Sequence, residues 1–281
     1  MAVKKGFQIK KFKACKVGNI PEEKILEERE LKKINDFKPL ELLNEGKTKR
    51  LYQTPSHEGV ILEFKDDLTA GNGAKHDTLA GKGEVNAKIS AHLMRYLEAH
   101  GAKTHFLDFV APRHNLVKKL KMIPLECVGR NLAYGSLLRR VPLFEEGEKL
   151  GPPVVEFFYK SDELGDPFLN LSHITSLGIV PLEDAEKLKE LTEKVGKVLK
   201  NFFSERNLLL VDYKLEFGYD SEGTLRIGDE VNGDSMRIWD KRAWEEERKI
   251  NMLDKQVYRE GRSLEEVKNV YEELCNKICE E

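Results

Sequence analysis

Between Val211 and Phe217 apolar and charged residues alternate: Val211, Tyr213, Leu215 and Phe217 fall in one phase, Asp212, Lys214 and Glu216 in the other. A period of two predicts a strand with one buried face. The charged face then meets water, a partner charge or a ligand. Asp220, Ser221, Glu222 and Gly223 supply turn chemistry, and residues 224–227 read as the returning strand of a hairpin. That strand runs into Gly228, Asp229 and Glu230, then Asp234, Arg237 and Asp240. Asp229 keeps the apolar phase of Leu225 and Ile227, where a solvated residue is not expected. Simple alternation puts Glu216 and Asp229 on different faces, so a bulge near Gly228 is expected to re-aim the chain. Carboxylates gathered at one end of a hairpin repel one another unless a cation neutralises them. The pattern points to a metal or phosphate site; a solvated hairpin is the plain alternative.

Elsewhere the periodicity predicts a buried strand over residues 59–64. A helix follows from Val85, with Ile89, Leu93 and Tyr96 on its face and Gly101 to end it. Strands are expected over residues 105–128, and a loop-rich rim over 142–178, with Pro152, Pro153 and Pro167. Pro181 opens the clearest helix, carrying Ala185, Leu188, Leu191, Val195, Val198, Leu199 and Phe202 at helical spacing. Helices are also expected over 239–248 and 263–279, the latter with Ser263 and Glu266 as a capping box. A Lys- and Glu-rich arm spans residues 1–38. The plan this suggests is two lobes with a cleft between them.

At 281 residues the chain can bury a full core. A net charge of -2 gives no bulk basic field, so a nucleic-acid partner is not expected. Neither a signal-peptide core nor a bilayer-length apolar run is present, so a cytoplasmic location without a membrane partner is expected. The four cysteines, Cys15, Cys127, Cys275 and Cys279, read as reduced thiols, with the last two on one helix face.

Three further stretches carry candidate chemistry. Gly46-Lys47-Thr48 invites a Walker A reading, but Glu41 stands where that motif needs its first glycine. What survives is a glycine turn joined to a strand on which Lys47 and Lys49 share a face, suited to a polyphosphate. Residues 65–75 form a glycine-containing loop around Ala70-Gly71-Asn72-Gly73. Arg130 at a strand end, with Ser136 six residues on near a helix start, can cradle a phosphate.

Together these segments resemble the phosphoribosylaminoimidazole-succinocarboxamide synthase (SAICAR synthetase) family. The matching blocks are Gly46-Lys47-Thr48-Lys49-Arg50, Ala70-Gly71-Asn72-Gly73, the run PLECVGRN ending at Asn131 with Gly135-Ser136, and residues 211–240. A softer match covers residues 253–259. The chain departs from the family in carrying Asn232-Gly233 where Ser-Pro is usual, and in the length of its arm. The resemblance implies an α+β, two-lobed fold with antiparallel sheets and a nucleotide cleft. The implied lobes are a β-rich nucleotide-binding lobe over 39–125 and an α/β lobe over 126–281 carrying the metal and ribonucleotide site. The implied activity is an ATP-dependent ligation of L-aspartate to the carboxylate of CAIR, carboxylated aminoimidazole ribonucleotide, through an acyl phosphate. The products are SAICAR, ADP and phosphate, a step of purine biosynthesis. Lys47, Lys49 and Lys160 are the implied nucleotide contacts, and Glu216 and Asp229 the ligands of Mg2+ and hence of ATP. Arg130, Ser136 and Arg237 are the implied cradle for the 5'-phosphate. Asp212, Lys214 and Asp234 are implied in the reacting part of the cleft. The expected partners are CAIR, L-aspartate and ATP, with a homo-oligomer left open. A small-molecule kinase and a non-catalytic nucleotide-binding module are the rival readings.

Overall fold

The computed structural model describes residues 40–55, 59–70, 75–110 and 112–279. The arm over 1–38 and the Gly71-Asn72-Gly73 part of the glycine loop lie outside them. The strands are β1 (Leu42–Glu45), β2 (Lys49–Gln53), β3 (Gly59–Phe64), β4 (Asp67–Ala70), β5 (Lys75–Thr78), β6 (Phe106–Val110), β7 (His114–Lys118), β8 (Lys121–Leu132), β9 (Lys149–Tyr159), β10 (Phe168–Leu169), β11 (Leu208–Tyr219), β12 (Leu225–Gly228) and β13 (Met236–Asp240). The helices are α1 (Lys82–Ala99), α2 (Ser136–Arg140), α3 (Leu171–Ser176), α4 (Leu182–Glu205), α5 (Lys241–Glu247), α6 (Gln256–Arg259) and α7 (Leu264–Cys279).

Two antiparallel sheets carry the architecture. The first has the order β1-β2-β3-β7-β6, and α1 packs on it: Val60, Leu62 and Phe64 of β3 cluster with Ala87 and Val117. The second has the order β10-β9-β8-β11-β12, with β13 also paired to β11. Helix α4 covers its inner face, where Leu188, Val195, Leu199 and Phe202 join Tyr213, Leu215 and Phe217 in the main core. The sheets change over between Lys118 and Lys121, so the lobe boundary expected at 125/126 falls inside β8. They are joined at one edge: Ile227 of β12 accepts from His105 N (2.8 Å) and donates to Lys103 O (2.9 Å), just before β6. No helix among the described residues is long and apolar enough to cross a membrane.

The central strand β11 departs from simple alternation. Its register with β13 shifts between Leu210 and Asp212. Leu208 and Leu210 therefore join Tyr213, Leu215 and Phe217 in the main core, whereas Val211 packs with Leu132, Tyr134 and Trp239 in a separate cluster. Val211 thus leaves the phase expected from the sequence, because a bulge adds one residue to the repeat.

Register against β8 is set by size. Tyr213 lies opposite Gly129, and a Cβ on Gly129 would sit 2.1 Å from the tyrosine ring. Gly196 of α4 leaves room on the other side, and the Tyr213 hydroxyl donates to Thr192 O at 2.9 Å. With Tyr213 locked there, the next pair along brings Arg130 opposite Asp212.

Three expected elements differ, the first being the loop over 65–75, where residues 67–70 form β4, paired with β5. The supposed loop over 142–178 contains the long strand β9, paired to β8; Pro152 and Pro153 fall at the register shift between Arg130 and Leu132, where missing N–H donors do no harm. Trp239 is in β13, and the helix starts at Lys241 with Asp240 as its cap, Oδ1 accepting from Ala243 N at 2.9 Å. Asp240 is thereby committed to structure. The capping box at Ser263 forms: Ser263 N donates to Glu266 Oε2 (2.9 Å) and Glu266 N to Ser263 Oγ (3.2 Å). Cys275 and Cys279 are buried on one face of α7, as reduced thiols.

Candidate active site

The site grows from a gap in the sheet. Strand β12 pairs with β11 from Glu216 to Tyr219, and β13 pairs with it from Leu208 to Tyr213. Between them the edge of β11 is open, and the segment from Asp229 to Ser235 loops out over it. One hydrogen bond, Lys214 N to Ser235 O at 2.8 Å, fastens the loop to the strand. This loop carries Asp229, Glu230 and Asp234. Asp229 is re-aimed by its own left-handed backbone, φ 58°. No bulge interrupts the β11–β12 register at Gly228; the irregularity lies on the other side of β11, between Glu216 and Gly218 against β8.

Glu216 and Asp229 lie within electrostatic reach of the same two cations, Lys49 and Lys214. Glu216, 2% exposed, accepts from Lys160 Nζ on Oε2 and from Lys214 Nζ on Oε1 (3.0 Å). Lys214 also donates to Glu126 Oε1 at 2.8 Å, and Glu126 lies directly opposite Glu216 on β8. Lys49, reaching across from the first sheet, pairs with both Asp229 and Glu230. Burial alone would raise the Asp229 pKa, but Lys49, Lys214 and Lys160 outweigh it and hold the carboxyl well below its usual range. Burial likewise pulls Lys214 down, yet Glu216, Glu126 and Asp229 keep it charged and raise it above the ordinary lysine value. Four carboxylates and three ammonium groups thus meet at the cleft.

A second centre lies further along β11. Arg130 is 3% exposed, and its three donor nitrogens reach Glu156 Oε2 (2.7 Å), Asp212 Oδ2 (2.9 Å) and Ser136 Oγ (3.1 Å). Arg237 Nη1 donates to the same Asp212 oxygen at 2.6 Å. Asp212 therefore holds two guanidinium groups side by side and keeps Arg237 charged against its burial. Gly135, φ 60°, leaves Arg237 its place: a Cβ there would lie 3.2 Å from the guanidinium. Arg130, Ser136 and Arg237, expected together from the sequence, are together.

A cavity of about 470 Å³ runs past both centres, and Arg130, Ser136, Asp212, Lys214, Asp234 and Arg237 are in its wall. Asp234 is fixed by a tight turn in which Asn232 Oδ1 accepts from Asp234 N (2.9 Å) and Ser235 N donates to Asn232 O (3.1 Å). Asn232-Gly233 thus forms a hydrogen-bonded turn of its own. Lys47 and Lys49 do not share a strand face. Lys47 lies in the turn before β2, at the cavity, paired with Asp162 at 2.6 Å, while Lys49 is buried against Asp229. Sequence reasoning missed Glu126, which the alternation Glu126, Val128, Arg130 could have revealed. It also missed Glu156, Lys82, Lys255 and Arg259, whose relation to the site depends on packing between distant elements.

The SAICAR synthetase family profile matches residues 42–278. A phosphoribosylaminoimidazole-succinocarboxamide synthase of Sulfurisphaera tokodaii is 48% identical over 239 residues, 85% of this chain and 98% of that protein. The enzyme of that name from Methanocaldococcus jannaschii is 46% identical over 227 residues, covering 81% and 90% of the two chains. A solved SAICAR synthetase in complex with ADP superposes with a TM-score of 0.78 at 40% identity, over 86% of this chain and 98% of the other. These matches favour the ligase over the kinase and the nucleotide-binding module, and they cover both sheets and the whole cleft. The chain belongs to the SAICAR synthetase family.

Proposed function

We propose that this chain joins the amine of L-aspartate to the carboxylate of CAIR at the expense of ATP, giving SAICAR, ADP and phosphate. The observation that carries this reading is the pair of charged centres set along one strand. Asp212, with its two arginines, and Glu216, with its lysines, are four residues apart, about 13 Å of extended chain. Lys214 stands between them. One anionic group can be anchored at the arginine end while a polyphosphate lies at the lysine end, with the reacting carboxylate in between. In this reading Lys49 of the first sheet and Lys160 serve the nucleotide; the ADP complex of a relative supports nucleotide binding itself.

A carboxylate does not condense with an amine in neutral water because its oxygen leaves too poorly. Transfer of the γ-phosphoryl group to one carboxylate oxygen, with ADP leaving, makes that oxygen part of a good leaving group. The amine nitrogen then attacks the acyl carbon, and the C–O bond to phosphate breaks. The nitrogen loses its proton, and inorganic phosphate departs with the former carboxylate oxygen. The protein's contribution is alignment and charge neutralisation. Lys49, Lys160 and Lys214 offer ammonium groups to the phosphoryl oxygens. Arg130, Ser136 and Arg237 fix the ribonucleotide by its 5'-phosphate.

The donor chemistry fits magnesium. Glu216 and Asp229 are buried oxygen donors already surrounded by cationic groups, and four carboxylates face three lysines. They would hold Mg2+, which supplies positive charge to the phosphate oxygens. Among the described residues no group of three or more ligating side chains is poised for an ion, so phosphate and water would complete its shell.

The experiment is ADP release from ATP with each co-substrate omitted in turn. Release that requires CAIR, with SAICAR formed only when L-aspartate is added, is the expected result. Release driven by an alcohol acceptor contradicts the reading.

A further inference from the structure

The Asp234 carboxylate is the meeting point of buried donors from two distant helices, α1 and α7. Oδ2 accepts from Lys82 Nζ at 2.6 Å, and Oδ1 from the Tyr271 hydroxyl at 2.5 Å. Lys82 is the first residue of α1, and its side chain is 1% exposed; that of Asp234 is 5% exposed. Tyr271 stands on α7 and is buried. Lys255 adds a second positive charge 3.9 Å from Oδ2. Asp254 and Arg259 are the further charges near Tyr271.

Full burial of a lysine costs several kcal/mol unless the ion is paired and its hydrogen bonds are met. An apolar side chain at position 82 would pack without that cost. The ion pair instead ends on a carboxylate in the cavity wall, next to the β11 face that carries Lys214. Each carboxylate oxygen has one buried donor, which fixes the group's rotation and leaves its other lone pairs for the cavity.

We propose that Lys82 and Tyr271 are positioning residues for the ligation, each holding one oxygen of Asp234 so that its carboxylate stays charged and aimed at the amine-bearing substrates. This rests on the ligase reading above. Burial alone would push the Asp234 pKa up, but Lys82, Lys255 and Tyr271 hold it well below the usual carboxylate range. The Tyr271 hydroxyl is raised well above its own ordinary value, so it remains a donor. An aspartate held this way is a poor general base at neutral pH. Its role is a fixed negative charge accepting a hydrogen bond from a substrate amine or ammonium group.

The test uses Tyr271→Phe, which keeps the ring, and Lys82→Gln. Both are expected to lower kcat about tenfold or more, leave KM for ATP within about twofold, and raise the pH at which the Asp234 carboxyl titrates. Added to Asp234→Asn, neither causes further loss, because they act through that carboxylate. Losses that add to those of Asp234→Asn overturn the proposal. Should Lys82→Gln fail to fold, Tyr271→Phe alone decides. The Asp234 carboxyl is also followed by 13C NMR in the substrate-free protein, its signal assigned by its loss in Asp234→Asn. Titration at the same pH in Tyr271→Phe and the parent chain overturns the positioning role. Absence of CAIR-dependent turnover in the parent chain overturns the ligase reading instead, and leaves the NMR result standing.

Discussion

The ammonium group of Lys49, on the second strand of the first sheet, closes onto the Asp229 carboxylate at the end of β12 in the second. One ion pair therefore spans the cleft in which the nucleotide is proposed to bind. Lys160, just after β9, and Lys214 of β11 pair with Glu216 from within the second sheet. The lysines proposed for phosphate thus pair with the carboxylates proposed for the metal. On the proposed reading, binding of a metal–nucleotide complex would exchange both sets of partners at once, so the buried charges would stay compensated.

Glu216→Gln and Asp229→Asn each remove a charge that this exchange needs. Turnover is expected to fall by at least about a hundredfold, as for loss of a preorganised electrostatic group. The fold should survive, because Lys160 is half exposed and Lys214 keeps Glu126 as a partner. Steady-state rates over a magnesium series, with circular dichroism as control, check this. Near-normal rates at saturating magnesium contradict it.

Arg237→Ala removes one of the two guanidinium groups gathered by Asp212. Charge-assisted hydrogen bonds of this kind are worth about 1.5–3 kcal/mol, so the Kd for the ribonucleotide should rise by about tenfold or more. The Kd for ATP should change by less than about twofold, because Arg237 belongs to the other centre. Calorimetric titration with each ligand checks the split. Equal losses remove Arg237 from the cradle.

Asp254 gives the fold a pH dependence. Burial pushes its pKa up from 3.8 to about 7, against hydrogen bonds from Ile238 N and Gln256 N that work the other way. Between those values the unfolded chain binds fewer protons than the native one, so this group's contribution to stability falls as pH rises. It is fully present below about pH 4 and lost as pH rises through about 7. Asp254→Asn removes the titration. The stability of the variant relative to the parent should improve across that window, by up to about 1.4 kcal/mol per pH unit. Urea unfolding at several pH values measures the difference; a constant difference contradicts the assignment.

Gly129→Ala drives a Cβ into the Tyr213 ring. Overpacking of this kind costs about 1–3 kcal/mol, read from urea unfolding. Ribonucleotide affinity should fall as well, because the same contact keeps Arg130 opposite Asp212. Unchanged affinity at reduced stability separates the register from the site.

Much of this was legible in the chain because it is local. The alternation from Tyr213 to Phe217, the hairpin after it, the amphipathic run behind Pro181 and the Ser263–Glu266 box each depend on neighbours within a few residues. Arg130, Ser136 and Arg237 could be grouped because a family pattern tied them together. What escaped depends on events that a period cannot show. One bulge near Leu210 moves Val211 to the opposite face. A left-handed Asp229 does the work expected of a bulge at Gly228. Prolines 152 and 153 suggest a loop, yet β9 accommodates them at a register shift. Lys47 and Lys49 part company because the turn at Gly46 extends through Thr48. Lys82 and Tyr271 have no local sign at all, since their importance comes from where α1 and α7 pack against Asp234.

The central claim is that a carboxylate oxygen of the ribonucleotide leaves as part of phosphate. It is tested by supplying CAIR labelled with 18O in its carboxylate, together with ATP and L-aspartate, and weighing the inorganic phosphate released. One labelled oxygen in each phosphate is the predicted result. Phosphate without label, with both labelled oxygens still on the ribonucleotide or lost to water, contradicts the acyl phosphate and the function built on it.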